Sequence, residues 1–440
     1  MSETSLHRNQ SSISSPDEVD LMIEADAAQP LDFIPAKLPV RSHESPSVYL
    51  LTGATGFLGA YVLRDLLAAD SSALVQCLVR AADEPTAQPR LQKNLQGLGI
   101  SITAEQWERI VCIPGDLAED KLSLTDSDYT ALAAKTHTII HCAARMNFYE
   151  SYQQLRPINV GGALNLLKFA VTSTLKPIHY MSTTGVFDSE ACRGDTVTEQ
   201  DVPAHCRGSV IGYTETKWVA EQLFLRARKH GVPSTIYRAP FIMGDTQSGL
   251  VARENLVVSV IIGSIQGGAW PEVALPVEMI PVDSLSRAMV HFIRSLDPAD
   301  QIYHLSSRKT INWSEGGHAA QAVGYLLEMM PSYHEWKKRL ARFGREKDNA
   351  LRLLLPLFVR TPRRHTSPSP EVFFRAPRPV LDCTETNRLL DSFGLTPPAI
   401  TLELLTKYLQ FFVAQGWLER PPTESVDASP SCPEPRPKNA

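Results

Sequence analysis

A glycine-rich turn between an apolar strand and an apolar helix constrains the fold of this chain more than any other feature. Residues 47–52, SVYLLT, predict a buried strand, and TGATGFLG follows directly, before a helical pattern. Gly53, Gly56 and Gly59 permit a tight bend, a close approach of backbone to a pyrophosphate, and close packing of helix on strand. The N-terminus of the helix also attracts an anion. The stretch therefore predicts dinucleotide binding, and the competing interpretation is a glycine-rich turn in another kind of α/β protein.

Further apolar segments with the length of strands follow along the chain, and helical patterns separate most of them. These strand candidates lie at 74–80, 109–115, 136–143, 177–183, 234–240 and 301–307. Alternation of strand and helix is typical of an α/β fold with a doubly wound parallel sheet, the Rossmann fold. We predict this domain over residues 47–245, with the strand at 301–307 returning to it.

The rest of the chain is interpreted as one smaller domain and two tails. Residues 246–420 are more helical and irregular, and we assign them to a mainly helical C-terminal domain that faces the substrate. Residues 1–46 are rich in Ser, Asp and Glu and predict an N-terminal tail or linker with one short helix. Residues 421–440 carry six prolines and predict a disordered tail.

The composition excludes several functional classes. Of the 440 residues, 43% are hydrophobic and 21% are charged, which is the balance of a globular protein with a core of its own. A net charge of −5 argues against nucleic-acid binding, and the apolar runs are too short to span a membrane. Seven dispersed cysteines predict reduced thiols in the cytoplasm rather than disulfides or a metal site.

The end of the second predicted strand favours one nicotinamide coenzyme over the other. NAD-dependent enzymes usually place Asp or Glu there, whereas this strand ends on Arg80, which pairs with a 2′-phosphate and favours NADPH. Arg90 is a candidate for a second cation, and Asp116, after the third strand, is placed to meet the adenine. The competing interpretations are solvent-exposed arginines and an ordinary turn aspartate.

A tyrosine and a lysine, Tyr213 and Lys217, are four residues apart in a helical pattern, so both lie on one helix face. The fifth predicted strand ends at Thr183. We predict that Lys217 lowers the pKa of Tyr213, that Tyr213 donates a proton, and that Thr183 hydrogen-bonds the substrate oxygen. Ser182 and Thr184 compete for that role but face the other side of the strand. Alone, a Tyr–Lys pair is more often packing and solvation.

Together, the glycine turn, Thr183 and the Tyr213–Lys217 pair resemble the extended short-chain dehydrogenase/reductase superfamily. Within it, the chain is most similar to the terminal thioester reductase domains of nonribosomal peptide and polyketide synthases, a module that carboxylic acid reductases share. The similarity extends over about residues 20–420 and includes YLLTGATGFLGAYVLRDLL, IIHCAARMNF, HYMSTTGVF, GYTETKWVAEQL and YRAPFIMGDTQSG.

The resemblance implies which residues form the site. Thr183, Tyr213 and Lys217 take the catalytic positions. The implied coenzyme positions are Gly53, Thr55, Gly56, Phe57, Leu58, Gly59, Arg80, Arg90, Asp116, Leu117, Ala143, Ala144, Asn159, Tyr213 and Lys217. No metal is implied.

The resemblance also implies a reaction. The expected substrate is an acyl or peptidyl thioester on the phosphopantetheine arm of a carrier protein, which NADPH reduces to an aldehyde, with a second reduction giving a primary alcohol. Three alternatives stay open: a fatty acyl-CoA reductase, a nucleotide-sugar epimerase or dehydratase, and a non-catalytic NADP-binding regulator on the same fold. A monomer is expected, either standing alone or as a piece of a larger protein.

A basic segment offers a docking surface for such a carrier. Residues 336–364 contain ten Lys or Arg and two acidic residues. Carrier domains of this kind are generally acidic, so complementary charge favours docking here. The competing interpretation is a solvated helix face with salt bridges.

Overall fold

The central sheet follows the strand pattern of the sequence. The computed structural model describes residues 16–37, 47–189, 192, 194–206, 211–295, 300–345, 348–352, 354–355, 358 and 379–422. Within them, one sheet is formed by β1 (Val48–Thr52), β2 (Leu74–Val79), β3 (Ile110–Pro114), β4 (Thr138–His141), β5 (Ile178–Thr183), β6 (Ser234–Ala239) and β7 (Ile302–His304). All neighbours pair in parallel, in the order β7-β6-β5-β4-β1-β2-β3. The predicted doubly wound parallel sheet is confirmed, and each strand lies inside a predicted one.

Helices connect the strands and continue through the C-terminal region. The longer ones are α1 (Pro16–Ala28), α2 (Phe57–Ala69), α3 (Glu84–Gly97), α4 (Asp126–Lys135), α5 (Gly162–Val171), α6 (Gly212–Lys229), α7 (Leu256–Gln266), α8 (Val282–Ser295), α9 (Trp313–Ala322), α10 (Tyr333–Phe343), α11 (Thr384–Ser392) and α12 (Leu402–Ala414). Short helical turns lie at Ala104–Trp107, Asp120–Ser123, Tyr152–Arg156, Pro157–Gly161 and Thr184–Phe187. Within the described ranges, no helix combines the length and apolar character that a membrane crossing requires.

The strand order reverses between β1 and β4, and this reversal positions the site. Crossovers on the two sides of such a point run in opposite directions and leave a crevice at the carboxyl ends of the strands. β1 ends at Thr52, β4 at His141 and β5 at Thr183, so these three residues lie at the same edge of the sheet. The glycine turn follows Thr52 directly, which places it at the mouth of the crevice.

Two apolar layers cover the sheet. On one face, α1, α4, α5 and α6 contribute buried side chains such as Ile23, Leu132, Phe169 and Phe224. On the other face, α2, α3, α8 and α11 contribute Leu63, Leu91, Phe292 and Leu390 in the same way. α8, α11 and β7 come from the predicted C-terminal region 246–420, so a part of that region completes the sheet domain.

A third apolar core lies in the remaining part of the C-terminal region. The helices α7, α9, α10 and α12 pack around Trp270, whose ring stacks on Trp313 at a centroid distance of 5.2 Å. Small strand pairs join the segments: Phe241–Met243 with Met279–Pro281, Ala269–Pro271 with Glu328–Met330, Pro276–Val277 with Ile311–Asn312, and Thr196–Val197 with Val380–Leu381. The last of these pairs brings the C-terminal segment to the edge of the crevice.

The N-terminal helix is part of the folded core, which differs from its assignment to a tail or linker. Val19 and Ile23 of α1 are buried in the layer that includes α6. The carboxylate of Asp26 accepts hydrogen bonds from the Tyr152 hydroxyl at 2.6 Å and from Arg156 Nε at 2.5 Å. The short helix predicted in this segment is therefore present, and it is held to the folded core by apolar packing and by the Asp26–Arg156 ion pair. Residues 1–15, 38–46 and 423–440 of the predicted tails lie outside the described residues.

Candidate active site

A single continuous cleft runs along the carboxyl edge of the sheet. Its volume is about 870 Å³, within the range of cavities that hold a coenzyme or a drug-sized ligand. Fourteen of the fifteen predicted coenzyme positions lie on its wall: Gly53, Thr55, Gly56, Phe57, Leu58, Gly59, Arg80, Arg90, Asp116, Leu117, Ala143, Ala144, Tyr213 and Lys217. Thr183 lines it as well. The fold therefore brings together residues that are up to 164 positions apart, from Gly53 to Lys217.

The glycine turn leaves a cradle that a side chain would fill. Gly53 has φ +84°, a conformation that residues with a Cβ rarely adopt. A Cβ there would lie 2.7 Å from the nitrogen of Ala143, and one at Gly59 would overlap the carbonyl oxygen of Gly53. The Gly56 amide donates to that carbonyl at 2.8 Å, and α2 begins at the next residue. The close backbone and the helix N-terminus fit the pyrophosphate of a dinucleotide.

Two arginines border the cleft at the end of β2. Arg80 follows the last residue of that strand, and Arg90 of α3 donates a hydrogen bond from Nη1 to the Arg80 carbonyl at 2.5 Å. Both side chains are exposed. The nearest acid in sequence, Asp83, is occupied as the cap of α3, where it accepts from the Thr86 amide at 3.0 Å. Two guanidinium groups are therefore available to a ligand at the end of β2.

Two predicted coenzyme residues have structural contacts of their own. Asp116 accepts from the Ala118 amide at 2.9 Å, so it shapes its turn while it also lines the cleft. Asn159 is buried and is not among the residues that line the cleft, so its contact with the coenzyme stays a prediction. Its Oδ1 accepts from the Arg145 amide at 2.8 Å, and its Nδ2 donates to Thr216 at 2.9 Å. Asn159 thus acts on the cleft through Arg145, which is a wall residue.

The three hydroxyls at the end of β5 differ in their surroundings. Thr183 lines the cleft, and its Oγ1 accepts from the Gly185 amide at 3.1 Å. The Ser182 hydroxyl donates to the buried carboxylate of Glu221 at 2.7 Å. Thr184 belongs to the helical turn after the strand. All three residues line the cleft, so Thr183 differs from Ser182 in that the Ser182 hydroxyl is engaged by Glu221, and the preference for Thr183 stays a prediction.

Tyr213 and Lys217 lie in the first two turns of α6. Lys217 is 3% exposed, donates from Nζ to the Met181 carbonyl at 2.5 Å, and lies 4.2 Å above the centre of the Tyr180 ring. Burial raises the pKa of Tyr213 to about 12 and lowers the pKa of Lys217 to about 7. This direction is opposite to the predicted lowering of the tyrosine pKa, because loss of hydration disfavours the phenolate. Tyr213 is therefore a neutral phenol near pH 7, the form that can donate a proton.

The sequence patterns did not identify the far end of the cleft. Its wall there is formed by Arg145, Met146 and Phe148 after β4, by Glu254, Asn255 and Leu256 at the start of α7, and by Glu278, Pro379 and Leu381. The Phe148 ring meets the Tyr213 ring edge to face, with centroids 6.1 Å apart. No sequence motif relates these residues to one another, because they come from separate segments that meet only in the folded chain. Cys142 also lines the cleft, and burial raises the pKa of its thiol to about 12.

Comparison with known proteins assigns the chain that forms this cleft to a protein family. Residues 51–289 match the family of NAD-binding domains described as male sterility protein. The chain belongs to this family. As a member of the male sterility protein family, with the glycine turn, Tyr213 and Lys217 present, it is an oxidoreductase domain that uses a nicotinamide coenzyme.

Relatives of this chain are much longer proteins. A linear gramicidin synthase protein of Brevibacillus parabrevis is 33% identical over 389 residues, which are 87% of this chain and 7% of that protein. The large subunit of L-2-aminoadipate reductase of Penicillium chrysogenum is 28% identical over 440 residues, 94% of this chain and 31% of that protein. The chain therefore spans much less than two thirds of these relatives.

A solved structure matches over nearly the whole chain. It is the terminal R domain from the myxalamid PKS-NRPS biosynthetic pathway, with a TM-score of 0.83 and 29% identity. The match covers 92% of this chain and 100% of the solved chain. The described fold is thus that of a terminal reductase domain.

Proposed function

We propose that the chain is an NADPH-dependent thioester reductase that releases an acyl or peptidyl group from a carrier protein as an aldehyde. The observation that carries this proposal is one cleft that joins the glycine turn to Thr183, Tyr213 and Lys217. The similarity to a terminal R domain over its full length supports the same function. An Aspergillus flavus relative that is 30% identical over 383 residues is named aldehyde reductase lnaA, which agrees with reduction at a carbonyl carbon.

The choice of NADPH over NADH rests on the two arginines at the end of β2. Arg80 and Arg90 border the cleft after β2, the strand whose end meets the adenine ribose in this fold, and they would bind its 2′-phosphate. The Asp83 carboxylate caps α3. Guanidinium groups bind phosphate through charge-assisted hydrogen bonds. When bound, the coenzyme supplies a hydride. Gly53, Gly56, Gly59 and the N-terminus of α2 would hold its pyrophosphate.

The proposed chemistry needs a proton and a stabilised oxygen. As the thioester carbon is reduced, negative charge develops on its oxygen, and the hydroxyls of Thr183 and Tyr213 would hydrogen-bond it. Tyr213 then donates its proton, and Lys217 keeps the resulting phenolate favourable by its charge. The tetrahedral hemithioacetal breaks its carbon–sulfur bond, so the thiol leaves with a proton and the aldehyde remains. The neutral Cys142 thiol takes no part.

A carrier protein is the proposed source of the thioester. On α10, Trp336, Leu340 and Phe343 are buried, and the opposite side presents Arg342, followed by the exposed Arg345. Lys338 and Arg339 in the same stretch pair with Glu335 and Glu328 at 2.8 and 3.4 Å. Among the described residues, Arg342 and Arg345 have no acidic partner at ion-pair distance, so they are available to an acidic carrier. The rest of the basic segment, 346–364, lies mostly outside the described residues.

The function is tested by Tyr213→Phe with an acyl pantetheine thioester and NADPH. Loss of a general acid costs about 100- to 10,000-fold in rate, so we expect the turnover of NADPH to fall by at least the lower figure. Tyr325→Phe is the matched control, because it removes a buried hydroxyl that donates to the Glu419 carbonyl, outside the cleft. Wild-type turnover in Tyr213→Phe would overturn the proposal.

The carrier surface is tested by reversing its charge. Arg342→Glu with Arg345→Glu should raise KM for a carrier-bound thioester by roughly 3- to 10-fold, since exposed ion pairs contribute about 0.2–1 kcal/mol each. The same variant should reduce a small pantetheine thioester at the wild-type rate. Arg388→Glu reverses an exposed charge on α11 and serves as control. An equal loss on both substrates would contradict docking at α10.

A further inference from the structure

A third residue of α6 continues the face of the proposed proton donor. Tyr213, Lys217 and Glu221 follow one another at intervals of four, which stacks them along one side of the helix. Glu221 is only 1% exposed, and no step of the proposed reaction uses it. A carboxylate is retained in such a place only when its charge and both its oxygens are satisfied.

The two oxygens of Glu221 have separate partners. Oε2 accepts from the Ser182 hydroxyl at 2.7 Å. Oε1 accepts from Arg238 Nε at 2.9 Å and also from Nη2 of the same guanidinium. Arg238 is fully buried in β6 and pairs in register with Ser182 of β5. The carboxylate therefore joins α6 to two adjacent strands.

Three consecutive residues at the end of β5 contact Lys217, Glu221 and the cleft in turn. The Met181 carbonyl accepts from Lys217, Ser182 donates to Glu221, and Thr183 opens onto the cleft. Two hydrogen bonds one residue apart thus join the strand end to two adjacent turns of α6. A shift of the strand against the helix would move Thr183 and Lys217 relative to each other.

Arg238 is itself held from several sides, so the anchor is rigid. Its Nη1 donates to the Asp201 carbonyl at 2.9 Å and to His304 Nε2 at 3.2 Å. Because the guanidinium is always a donor, His304 Nε2 is the acceptor, and its Nδ1 donates to the Asp382 carbonyl at 3.1 Å. The guanidinium carbon also lies 4.7 Å from the centre of the Phe187 ring.

We propose that Glu221, fixed by Arg238, is a positioning residue that sets Lys217 and Thr183 in register across the cleft and supplies the negative charge that keeps Lys217 protonated. The inference rests on the proposed function, because it concerns the geometry around the proposed proton donor. It goes beyond that function in assigning a role to a buried ion pair that touches neither substrate nor coenzyme.

The titratable groups around Lys217 bear on the second proposed role of Glu221, which is to supply negative charge. The titratable side chains that face it are His141 and Cys142 of β4 and its end, Tyr180 of β5, and Tyr213 and Glu221 of α6. Burial lowers the pKa of His141 to about 3 and raises the pKa of Cys142 and of Tyr213 to about 12. Burial raises the pKa of Tyr180 as well. Near pH 7 these four are neutral, which leaves Glu221 as the acidic group acting on Lys217.

Two variants separate position from charge. Ser182→Ala removes the link between β5 and the carboxylate but keeps its charge, so kcat should fall about 3- to 10-fold with the pH profile unmoved. Glu221→Gln keeps hydrogen-bonding capacity but removes the charge, so kcat should fall and the alkaline limb of kcat/KM should move to lower pH. The combined variant should be no worse than Glu221→Gln alone, because both changes act through one contact. Glu385→Gln, in the exposed pair with Arg388, is the matched control.

Different measurements would refute the role of Glu221 and the proposed thioester reduction. Wild-type kcat in Ser182→Ala, or an unmoved alkaline limb in Glu221→Gln, would each refute it. If Glu221→Gln does not fold because Arg238 is left unpaired, Glu221→Gln with Arg238→Gln replaces it, and Ser182→Ala decides the positional part alone. If the wild type reduces no thioester, the pH dependence of NADPH affinity, followed by nicotinamide fluorescence, still tests the charge part, since Glu221→Gln should shift it downward.

Discussion

Replacing Gly53 with alanine probes the geometry on which coenzyme binding depends. An alanine at φ +84° costs roughly 1–2 kcal/mol for the left-handed backbone. Its Cβ would lie 2.7 Å from the Ala143 nitrogen and 2.8 Å from the Cys142 carbonyl carbon. These are main-chain atoms that cannot rotate away, and overpacking of this kind costs about 1–3 kcal/mol. We therefore expect a total of about 2–5 kcal/mol, shared between lower stability and a displaced turn.

Alanine substitutions at two other glycines separate the cost of the left-handed backbone from the cost of the steric overlap. Gly231 also has a positive φ, +83°, but nothing lies within 4 Å of an added Cβ, so Gly231→Ala should show the backbone cost alone. Gly97, at the end of α3, has neither problem, and Gly97→Ala should be neutral or stabilising by up to about 1 kcal/mol.

The assay combines urea unfolding with titration of nicotinamide fluorescence. Of the three variants, only Gly53→Ala should weaken the binding of NADPH. If the displaced turn costs about 2 kcal/mol of binding free energy, Kd rises by about 30-fold, since roughly 1.4 kcal/mol corresponds to a factor of ten. The reasoning is refuted if Gly53→Ala is no less stable than Gly231→Ala and binds NADPH with the wild-type Kd.

Other perturbations give equally direct outcomes. Arg80→Ser should raise Kd for NADPH by roughly 10- to 100-fold, the worth of one charge-assisted hydrogen bond, and leave Kd for NADH unchanged; an equal change for both coenzymes would remove the argument for NADPH. Because burial lowers the pKa of Lys217 to about 7, the ammonium is lost as pH rises through that value, so kcat/KM should fall there and Lys217→Met should lack this limb. Stability has the opposite sign: between about 7 and the unfolded value near 10.4 the unfolded chain binds more protons, so the contribution of Lys217 to the free energy of unfolding rises with pH. Asp26→Asn should lower the free energy of unfolding by about 1–3 kcal/mol in urea, because Tyr152 and Arg156 lose a charged acceptor, and no change would mean that α1 is not anchored there.

Local patterns were sufficient for the sheet and for the near end of the cleft. The strand before Gly53, the arginine at the end of β2 and the Tyr213–Lys217 spacing each depend on neighbours in sequence, and the fold then brings them to one edge of the sheet. The Glu221–Arg238 pair depends on the register of β5 with β6 and was invisible in the sequence for that reason.

The pKa of Tyr213 illustrates a different limit. The spacing indicates that Lys217 lies on the same helix face as Tyr213, but the sign of the pKa shift depends on burial, which a motif does not reveal. The packing of α1 is a similar case, because Val19 and Ile23 are buried only through their packing in the layer that includes α6, a contact between distant segments. The cytoplasmic location inferred from dispersed cysteines stays a prediction.

The most direct test follows the transferred hydrogen. The protein is incubated with a carrier-bound acyl thioester and NADPH that carries deuterium at the transferable position of the nicotinamide, and the product is analysed by mass spectrometry. We expect an aldehyde, or the alcohol formed from it, with deuterium on the former thioester carbon. Release of the free carboxylic acid, or an aldehyde without deuterium, would contradict hydride transfer to a thioester in this cleft.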